Sequence, residues 1–282
     1  TKIIANITKQ FEITIMTAPI LRYASLGSGS AGNALVIEAR CAGQTTRLLL
    51  DCGFSTKETV KRLARLDLMG QDIDALLVTH EHDDHIGGVA RFARKFGTPI
   101  HMSRGTHLSV LNHTHSCDGL DVTFCADAQP FVLGALVVHP YTVPHDAREP
   151  LQFTFKCRDL HLGVITDVGH ITPAVVQALQ SCHGLVLEYN YDAQMLARST
   201  KYPPSLKQRI FGDYGHLDNE SSQALLLQLI HPNLHHVHAA HISQNNNDLE
   251  HVRGLLEAAL GRHQIPYALA CQNEGFDWFE VR

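Results

Sequence analysis

The chain has 282 residues, 44% of them hydrophobic and 18% charged, a composition typical of a globular protein with a sizeable core. No segment approaches the roughly 18 consecutive apolar residues that a membrane-spanning helix requires, so we expect no membrane association. The formal net charge of −5 at pH 7 argues against a basic surface over the whole protein, although a local basic groove for nucleic acid remains compatible with it.

The cysteines and the first residues bear on the cellular compartment. The seven cysteines are scattered and include no C-x-x-C pair, so we expect reduced thiols in the cytoplasm rather than a disulfide framework. Residues 1–15 lack the basic region, apolar core and cleavage site of a signal peptide, and the sequence from Met16 is typical of a natural start. We therefore expect residues 1–15 to be a non-native or disordered extension and residues 16–282 to form a single domain.

In the first half of the chain, short apolar blocks predict strands. These predicted strands lie at residues 20–26, 34–39, 47–50, 75–78 and 100–102. One helix is predicted over residues 57–66 with Ser55 as its cap, and a second ends at Phe96. The turn-rich segment 27–33 leads into a strand and lacks Gly-Lys-Ser/Thr, so it is not a phosphate-binding P-loop. Residues 103–130 are predicted to be irregular.

From Phe131 onwards the chain again alternates between strand-like and helix-like patterns. Strands are predicted at residues 131–138, 151–157, 160–165, 185–187, 236–240, 267–270 and 276–281. Helices are predicted at residues 172–182, 193–198, 205–210, 221–230 and 249–260. The two halves of the chain therefore have a similar make-up and no linker between them, which predicts two sheets packed face to face with helices outside.

The most informative segment follows the buried strand at residues 75–78. Within six residues it contains five side chains that can bind a metal, namely His80, His82, Asp83, Asp84 and His85. Two histidines spaced two apart cannot share a helix face, so this segment is predicted to be a loop at a strand end. Nitrogen and carboxylate ligands without thiolate suit zinc, manganese or iron. The alternative is a solvated polar loop in a chain that contains 20 histidines.

The order H-x-H-x-D-H, after an apolar strand and before Gly-Gly, resembles the signature of the metallo-β-lactamase superfamily. The four signature positions are His80, His82, Asp84 and His85. Three more positions match the superfamily pattern, a lone histidine after a strand, an aspartate in T-D-V-G and a histidine ending a late strand, namely His145, Asp167 and His241. The resemblance implies an α/β (α+β) fold with a four-layer αββα sandwich.

The resemblance also implies a ligand set for two divalent metal ions. One ion would be held by His80, His82 and His145, the second by Asp84, His85 and His241, with Asp167 bridging them. His139 is an alternative to His145, but it ends its strand too early and precedes a proline. Two cations roughly 3.5–4 Å apart can lower the pKa of a shared water to about 7, and the resulting hydroxide would be the nucleophile. Zinc or manganese suits this set best, and iron is compatible.

Further motifs bear on the substrate. The segments SLGSGSAGN, LLLDCGFS, GDYGHLDNES and AHISQNNN are similar to the YycJ-like branch of the superfamily, which groups with phosphodiesterases and DNA exonucleases. Asp218 departs from the serine usual in GHLSN, and we expect little effect on the chemistry. The resemblance implies a hydrolase of phosphodiester bonds, with DNA as the substrate and 5′→3′ exonuclease action. The alternatives are hydrolysis of a carboxylic ester, thioester or lactone on the same fold, or a non-catalytic metal-binding scaffold.

The resemblance gives His216 a role at the scissile phosphate. It would contact the phosphate or protonate the leaving oxygen, which makes His216 a candidate catalytic residue beside Asp84. The alternative for His216 is a histidine at a helix entry that faces water. Hydrogen bonds to phosphate are also expected from Ser243 and Asn245.

Several more residues are candidates for supporting roles at the site or for a separate site. Candidate residues for orienting the ligands are Asp51, Asp83 and Glu188, although solvated or structural roles are equally open for the last two. Lys201, Lys207 and Arg209 form a local basic patch that either neutralises a nucleic-acid backbone or is a solvated helix face. His107, His113 and His115 with Cys117 suggest a separate zinc site, but a solvated loop is favoured because no matching ligand pair lies nearby.

Overall fold

The computed structural model describes residues 18–111 and 113–282, so the predicted extension at residues 1–15 lies outside the described residues. The first sheet contains β1 (Ile20–Gly27), β2 (Ala34–Cys41), β3 (Gln44–Leu50), β4 (Ala75–Leu77), β5 (Ile100–Ser103), β6 (Val122–Cys125) and β14 (Phe276–Val281). Its strand order is β14-β1-β2-β3-β4-β5-β6. The pairs from β14 to β3 are antiparallel, and those from β3 to β6 are parallel.

The second sheet has the same number of strands. It contains β7 (Phe131–Leu133), β8 (Leu136–Thr142), β9 (Leu151–Cys157), β10 (Leu160–Ile165), β11 (Gly184–Glu188), β12 (His236–Ala240) and β13 (Tyr267–Leu269). The strand order is β13-β12-β11-β10-β9-β8-β7. Strands β10 to β13 pair in parallel, whereas β7 to β10 pair antiparallel.

Most of the helices pack on the outer faces of the two sheets. The helices are α1 (Thr56–Leu63), α2 (Asp83–Ile86), α3 (Val89–Phe96), α4 (Arg104–Val110), α5 (Pro173–Leu179), α6 (Ala193–Arg198), α7 (Pro204–Phe211), α8 (Asn219–Leu229) and α9 (Leu249–Leu260). Between the sheets lies one apolar core, to which Ile37 and Leu48 contribute from the first sheet and Phe153 and Phe155 from the second. Two further apolar cores are present, one between each sheet and the helices that pack on it. The predicted αββα sandwich is confirmed, while the single domain over residues 16–282 stays a prediction.

Two predictions of local structure were wrong. Residues 103–130 were expected to be irregular, but they contain α4 and β6, because Ser103 caps the helix by accepting from Thr106 N and β6 pairs in parallel with β5. Residues 131–138 were expected to form one strand, but they form the hairpin of β7 and β8. Its turn contains Gly134 with φ +53°, a backbone conformation that glycine adopts readily.

The register of the parallel strands brings several strand ends to one edge of the molecule. In the second sheet, Ile165 pairs with Leu187 and Leu187 pairs with Ala239, so β10, β11 and β12 end at the same level. In the first sheet, Leu50 pairs with Leu77, which aligns the ends of β3 and β4. Polar residues that follow these strands are therefore collected at one edge, where α/β proteins commonly bind ligands.

All seven cysteines are free thiols, as expected, five of them buried. Among the described residues, the helices are all too short or too polar to traverse a lipid bilayer.

Candidate metal centre

Three of the predicted site residues follow strands directly and adopt an unusual backbone conformation. Asp51 follows β3 with φ +59°, while Asp167 and His241, at the ends of β10 and β12, each have φ +54°. Left-handed conformations cost free energy in residues other than glycine, and they concentrate at functional sites where surrounding contacts enforce them. The conformation bends the chain at the strand end and turns these side chains into the space between the sheets.

Only the first part of the predicted ligand loop, up to His82, is a loop, because the chain turns into the short helix α2 at Asp83. Asp83 and Asp84 occupy the first turn of α2, where the helix dipole favours carboxylates. Backbone hydrogen bonds fasten the loop to neighbouring segments, with Asn33 N donating to Asp84 O at 2.7 Å and Cys52 N to His85 O at 2.8 Å. Gly53 allows this close approach, because a Cβ atom there would lie 1.8 Å from Asp84 O.

Three histidines form the first group of candidate ligands. His82 Nδ1 lies 3.0 Å from His80 Nε2 and 3.2 Å from His145 Nε2. The outer nitrogen of His145, Nδ1, lies 3.0 Å from Gly215 O, which can only accept. His145 Nδ1 therefore carries the proton, and Nε2 presents a lone pair to the other two rings.

The same reasoning fixes the tautomer of His80. The Thr79 hydroxyl donates to Asp51 Oδ2 at 2.9 Å, so it accepts from His80 Nδ1 at 3.0 Å. Burial lowers the pKa of both His80 and His145 below the ordinary value, which keeps these rings neutral. Metal-binding histidines must be neutral, and convergent lone pairs are the donors that a cation needs.

A second group of candidate ligands lies beside the first. His85 Nε2 is 3.4 Å from Asp84 Oδ2 and 3.2 Å from Asp167 Oδ2, and His241 Nε2 is 3.5 Å from Asp84 Oδ2. The outer nitrogen of His85 donates to Asp51 Oδ2 at 2.8 Å, and that of His241 donates to Glu188 Oε1 at 3.0 Å. Both Nε2 atoms therefore face carboxylate oxygens, and each would present a lone pair to a cation that replaces its proton.

This second group requires a positive charge. Burial alone would lower the pKa of His85, but Asp167 and Asp84 outweigh it and hold that pKa well above its ordinary value. Burial of His241 is likewise outweighed, by Asp167 first, and its pKa rises to about 10. Within the described residues, the buried Asp167 Oδ2 has no hydrogen-bond donor. Divalent cations satisfy these lone pairs and carboxylates together, so the residues fit the predicted kind of metal site.

The structure brings all seven predicted ligands together. Groups whose ligand atoms lie within 4.8 Å of one another include His80 with His82 and His145, and Asp84 with His85 and His241. Asp167 occurs both in a group with His80 and His85 and in a group with His241. Asp167 thus lies between the two sets, and its bridging role stays a prediction. Among the described residues, such groups include neither His107, His113 and His115 nor Cys117.

Glu188 organises the second half of the site. The carboxylate is fully buried and accepts from five donors, which are Asp167 N, Val168 N, Leu217 N, His216 Nδ1 and His241 Nδ1. Burial opposes its charge, but His216 and the other donors outweigh burial and lower the pKa of Glu188 to about 2. Glu188 therefore fixes the orientation of two imidazoles, one from each of two different loops.

The remaining predicted site residues separate into two sets. Asp51 contacts His85, as expected for a residue that orients a ligand, and Ser243 lines the cavity beside the ligands. Asp83 is exposed, and its Oδ1 atom contacts His115 Nε2 at 2.9 Å instead of a ligand imidazole. Asn245 lines a neighbouring groove, where it accepts from Lys201 Nζ at 2.9 Å.

Sequence reasoning assigned no role to three residues that the structure brings to the site. Asn33 Nδ2 lies 3.1 Å from both Asp84 Oδ2 and His85 Nε2. Asn190 Nδ2 donates to His241 O at 2.8 Å, and Asn246 lines the cavity. Asn33 is the last residue of the turn-rich segment 27–33, and Asn190 is the last residue of the L-E-Y-N segment. A polar residue at the end of a glycine-rich turn or after a buried strand is therefore the sequence feature that could have predicted them as site residues.

The candidate ligands open onto a cavity of about 550 Å³. His82, Asp84, Asp167 and His241 line it, together with His216. Of the predicted basic patch, Arg209 lines this cavity and forms an ion pair with Asp146. Lys201 lies in the neighbouring groove, and Lys207 Nζ donates to Ala197 O at 2.9 Å. The site thus combines a cation-binding centre with one arginine and one histidine that can reach a ligand.

Comparisons with known proteins identify the family of the chain. A model of the metallo-β-lactamase superfamily matches residues 27–123, which include the ligand loop. Exodeoxyribonuclease YycJ of Bacillus anthracis is 33% identical over 236 residues, covering 83% of this chain and 86% of that protein. Exodeoxyribonuclease WalJ of Streptococcus pneumoniae serotype 2 is 31% identical over 247 residues, covering 85% and 90% respectively.

Solved structures share the fold at low sequence identity. YhfI, a metallo-β-lactamase fold protein from Bacillus subtilis, has a TM-score of 0.68 at 14% identity, over 93% of this chain and 99% of that one. The short form of human tRNase Z has a TM-score of 0.61 at 16% identity, with the same coverage. These two similarities concern the fold alone, whereas the identity to YycJ and WalJ extends over most of both chains. The chain therefore belongs to the metallo-β-lactamase superfamily, in the branch that contains YycJ and WalJ.

Proposed function

We propose that this protein is a dinuclear metal-dependent hydrolase that degrades DNA from an end in the 5′→3′ direction. The observation that carries the proposal is the pair of Glu188 and His216 beside the metal centre. His216 Nδ1 lies 2.9 Å from the buried Glu188 Oε1, and the ring lines the cavity. Its other nitrogen, Nε2, is therefore available to a ligand in the cavity. YycJ and WalJ, whose similarity extends over most of the chain, are named exodeoxyribonucleases.

The ligand sets would hold two divalent ions. The first set is His80, His82 and His145, the second is Asp84, His85 and His241, and Asp167 is shared. When bound, these ions supply Lewis acidity and a water acidic enough to attack a phosphodiester near neutral pH. Zinc and manganese both suit nitrogen and carboxylate ligands of this kind. We expect two equivalents of metal per chain by elemental analysis, and one or none would contradict the dinuclear proposal.

His216 and Arg209 would act on the phosphodiester itself. In its imidazolium form, with Nδ1–H donating to Glu188, His216 can donate the Nε2 proton to the leaving oxygen or a hydrogen bond to a phosphate oxygen. Arg209 lines the same cavity and presents a guanidinium group, which pairs well with phosphate oxygens. Ser243 lies in the cavity as a further donor, and Asn245 would reach the substrate only beyond the cavity, from the neighbouring groove.

The test is hydrolysis of end-labelled DNA by the metal-loaded protein. Single- and double-stranded oligonucleotides blocked at the 5′ or 3′ end would establish direction, beside a chromogenic phosphodiester, a thioester and a lactone. His82→Ala should abolish DNA shortening, whereas His235→Ala, a change at an exposed histidine away from the cavity, should leave it unchanged. Cleavage of the thioester or lactone with intact DNA, under both zinc and manganese, would refute the nuclease proposal in favour of ester hydrolysis.

The role of His216 can be separated from the role of the metals. If His216 donates a proton, His216→Ala should slow DNA cleavage by about 10²–10⁴-fold but slow cleavage of an ester with a nitrophenolate leaving group far less. An equal loss on both substrates would indicate a contact to the phosphate instead. Unchanged rates on both substrates would exclude His216 from the reaction.

A further inference from the structure

Part of the cavity lining is apolar and unlike the side formed by the candidate ligands. This apolar wall consists of Tyr191, Leu196, Tyr202, Leu206 and Ile210. Leu196 comes from α6, Leu206 and Ile210 from α7, and Tyr202 from the segment between these helices. Tyr191 and Leu196 are almost fully buried, whereas Tyr202, Leu206 and Ile210 keep part of their surface exposed at the cavity, where apolar atoms bind neither metal nor phosphate.

The apolar side of α7 lines the cavity and is only partly covered by protein. No residue of this eight-residue helix is buried, although Leu206 and Ile210 lie one turn apart on the side that lines the cavity. Short helices are marginally stable in water and normally bury an apolar face against the protein. An apolar face that instead lines a cavity indicates a ligand with an apolar surface.

The wall adjoins the residue proposed to act on the phosphate. His216 N donates to Ile210 O at 3.1 Å. Gly215 allows this contact, because a Cβ atom there would lie 2.1 Å from the same carbonyl oxygen. Arg209 also projects into the cavity from α7. A ligand that fills the cavity therefore meets one side that carries Arg209 and His216 and an apolar side that includes Tyr202.

We propose that the apolar wall binds the unpaired base of the nucleotide next to the scissile phosphate. The inference rests on the proposed function and specifies which part of the DNA the cavity recognises. A nucleotide combines an anionic phosphate with a flat apolar base, and a cavity of about 550 Å³ lies within the range of pockets that enclose a small organic ligand. The Tyr202 ring supplies a stacking surface that every base can use, so discrimination between bases is weak.

The proposal has a consequence for the form of the DNA. A base in a duplex is stacked and paired, so it must leave the helix before it can contact Tyr202. Opening a terminal pair costs free energy that a single-stranded end does not require. Single-stranded ends should therefore be degraded faster than blunt duplex ends.

Binding provides a test that does not depend on DNA cleavage. Calorimetry on the metal-loaded protein would compare 2′-deoxyadenosine 5′-monophosphate with 2-deoxyribose 5-phosphate, which lacks the base. The nucleotide should bind about 5- to 150-fold more tightly, the range for one stacked base. Tyr202→Ala should remove most of the difference and Tyr202→Phe should retain it. Phe124→Ala, which removes an exposed aromatic ring outside the cavity, should also retain it.

A second variant and a kinetic measurement distinguish loss of base binding from a local folding defect in Tyr202→Ala. Leu206→Gln places a polar group in the wall and should weaken nucleotide binding while leaving deoxyribose phosphate binding unchanged. With DNA, Tyr202→Ala should raise KM more than it lowers kcat, and an abasic terminal nucleotide should reproduce this effect in the unmodified protein. Equal affinity for the two phosphates would overturn the base-binding proposal even if DNA is cleaved. A base-dependent affinity without DNA cleavage would support base binding by the apolar wall and would refute the nuclease function instead.

Discussion

Replacing the carboxylate of Glu188 by an amide tests the proposed architecture of the site most directly. A carboxylate can only accept hydrogen bonds, and Glu188 Oε1 lies 2.9 Å from His216 Nδ1 and 3.0 Å from His241 Nδ1. Its Oε2 atom accepts from Val168 N and Leu217 N at 3.2 and 3.1 Å. In Glu188→Gln the amide NH₂ must face either Val168 N and Leu217 N, or Asp167 N together with the two imidazoles.

The first orientation leaves two buried backbone amides without an acceptor. The second leaves Asp167 N without one and forces both imidazoles either to lose their hydrogen bonds or to move the proton to Nε2. Each buried donor left without a partner costs about 1–3 kcal/mol, so we expect the free energy of unfolding to fall by about 2–6 kcal/mol. His241 would also lose its fixed orientation, and affinity for the second metal ion should fall by about 10–100-fold.

Urea unfolding of the metal-free protein would measure the stability loss, and competition with a chelator would measure the metal affinity. Glu280→Gln, the same change at an exposed glutamate of β14, serves as the control and should change neither quantity. A Glu188→Gln protein whose stability and metal affinity match those of the unmodified chain would refute the reasoning from donors and acceptors.

Three further predictions concern stability and metal binding. Burial lowers the pKa of His238 to about 3, so below about pH 6.5 the unfolded chain binds a proton that the folded protein excludes. The free energy of unfolding should therefore fall as the pH falls from 6.5 towards 4, by about 1.4 kcal/mol per pH unit from this residue, and urea titrations of His238→Gln should show a smaller slope. The fully buried Glu38 accepts from three arginine Nε atoms at 2.7 Å each, so Glu38→Gln should cost about 3 kcal/mol of stability, measured by urea unfolding, with unchanged activity of the folded fraction. An unchanged midpoint would contradict this. Gly53→Ala should displace Asp84 and weaken metal binding in the chelator assay, and unaltered affinity would show that the loop can move aside.

Two features of the structure could be predicted from the sequence because they depend on local residue spacing. The ligand segment was predicted because four potential ligands occur within six residues after a buried strand. No distant contact is needed to bring His80, His82 and His85 together. Strands β9, β10 and β12 and helices α6 and α9 occur at their predicted bounds, because each is a short element between clear turn or cap residues. The hairpin of β7 and β8 was missed because its apolar residues continue through the turn.

The sequence by itself determined the class of fold, the kind of ligands and, through motif resemblance, the family. The tertiary structure decided which of several chemically equivalent residues reach the site. Arg209 lines the cavity whereas Lys201 and Lys207 do not, and Asn246 lines it whereas Asn245 does not. The physical reason is that these choices depend on strand register and helix placement over long sequence separations, which set where a side chain points. The five donors that meet on Glu188 come from three separate loops, and only the packed sheets bring those loops to one carboxylate.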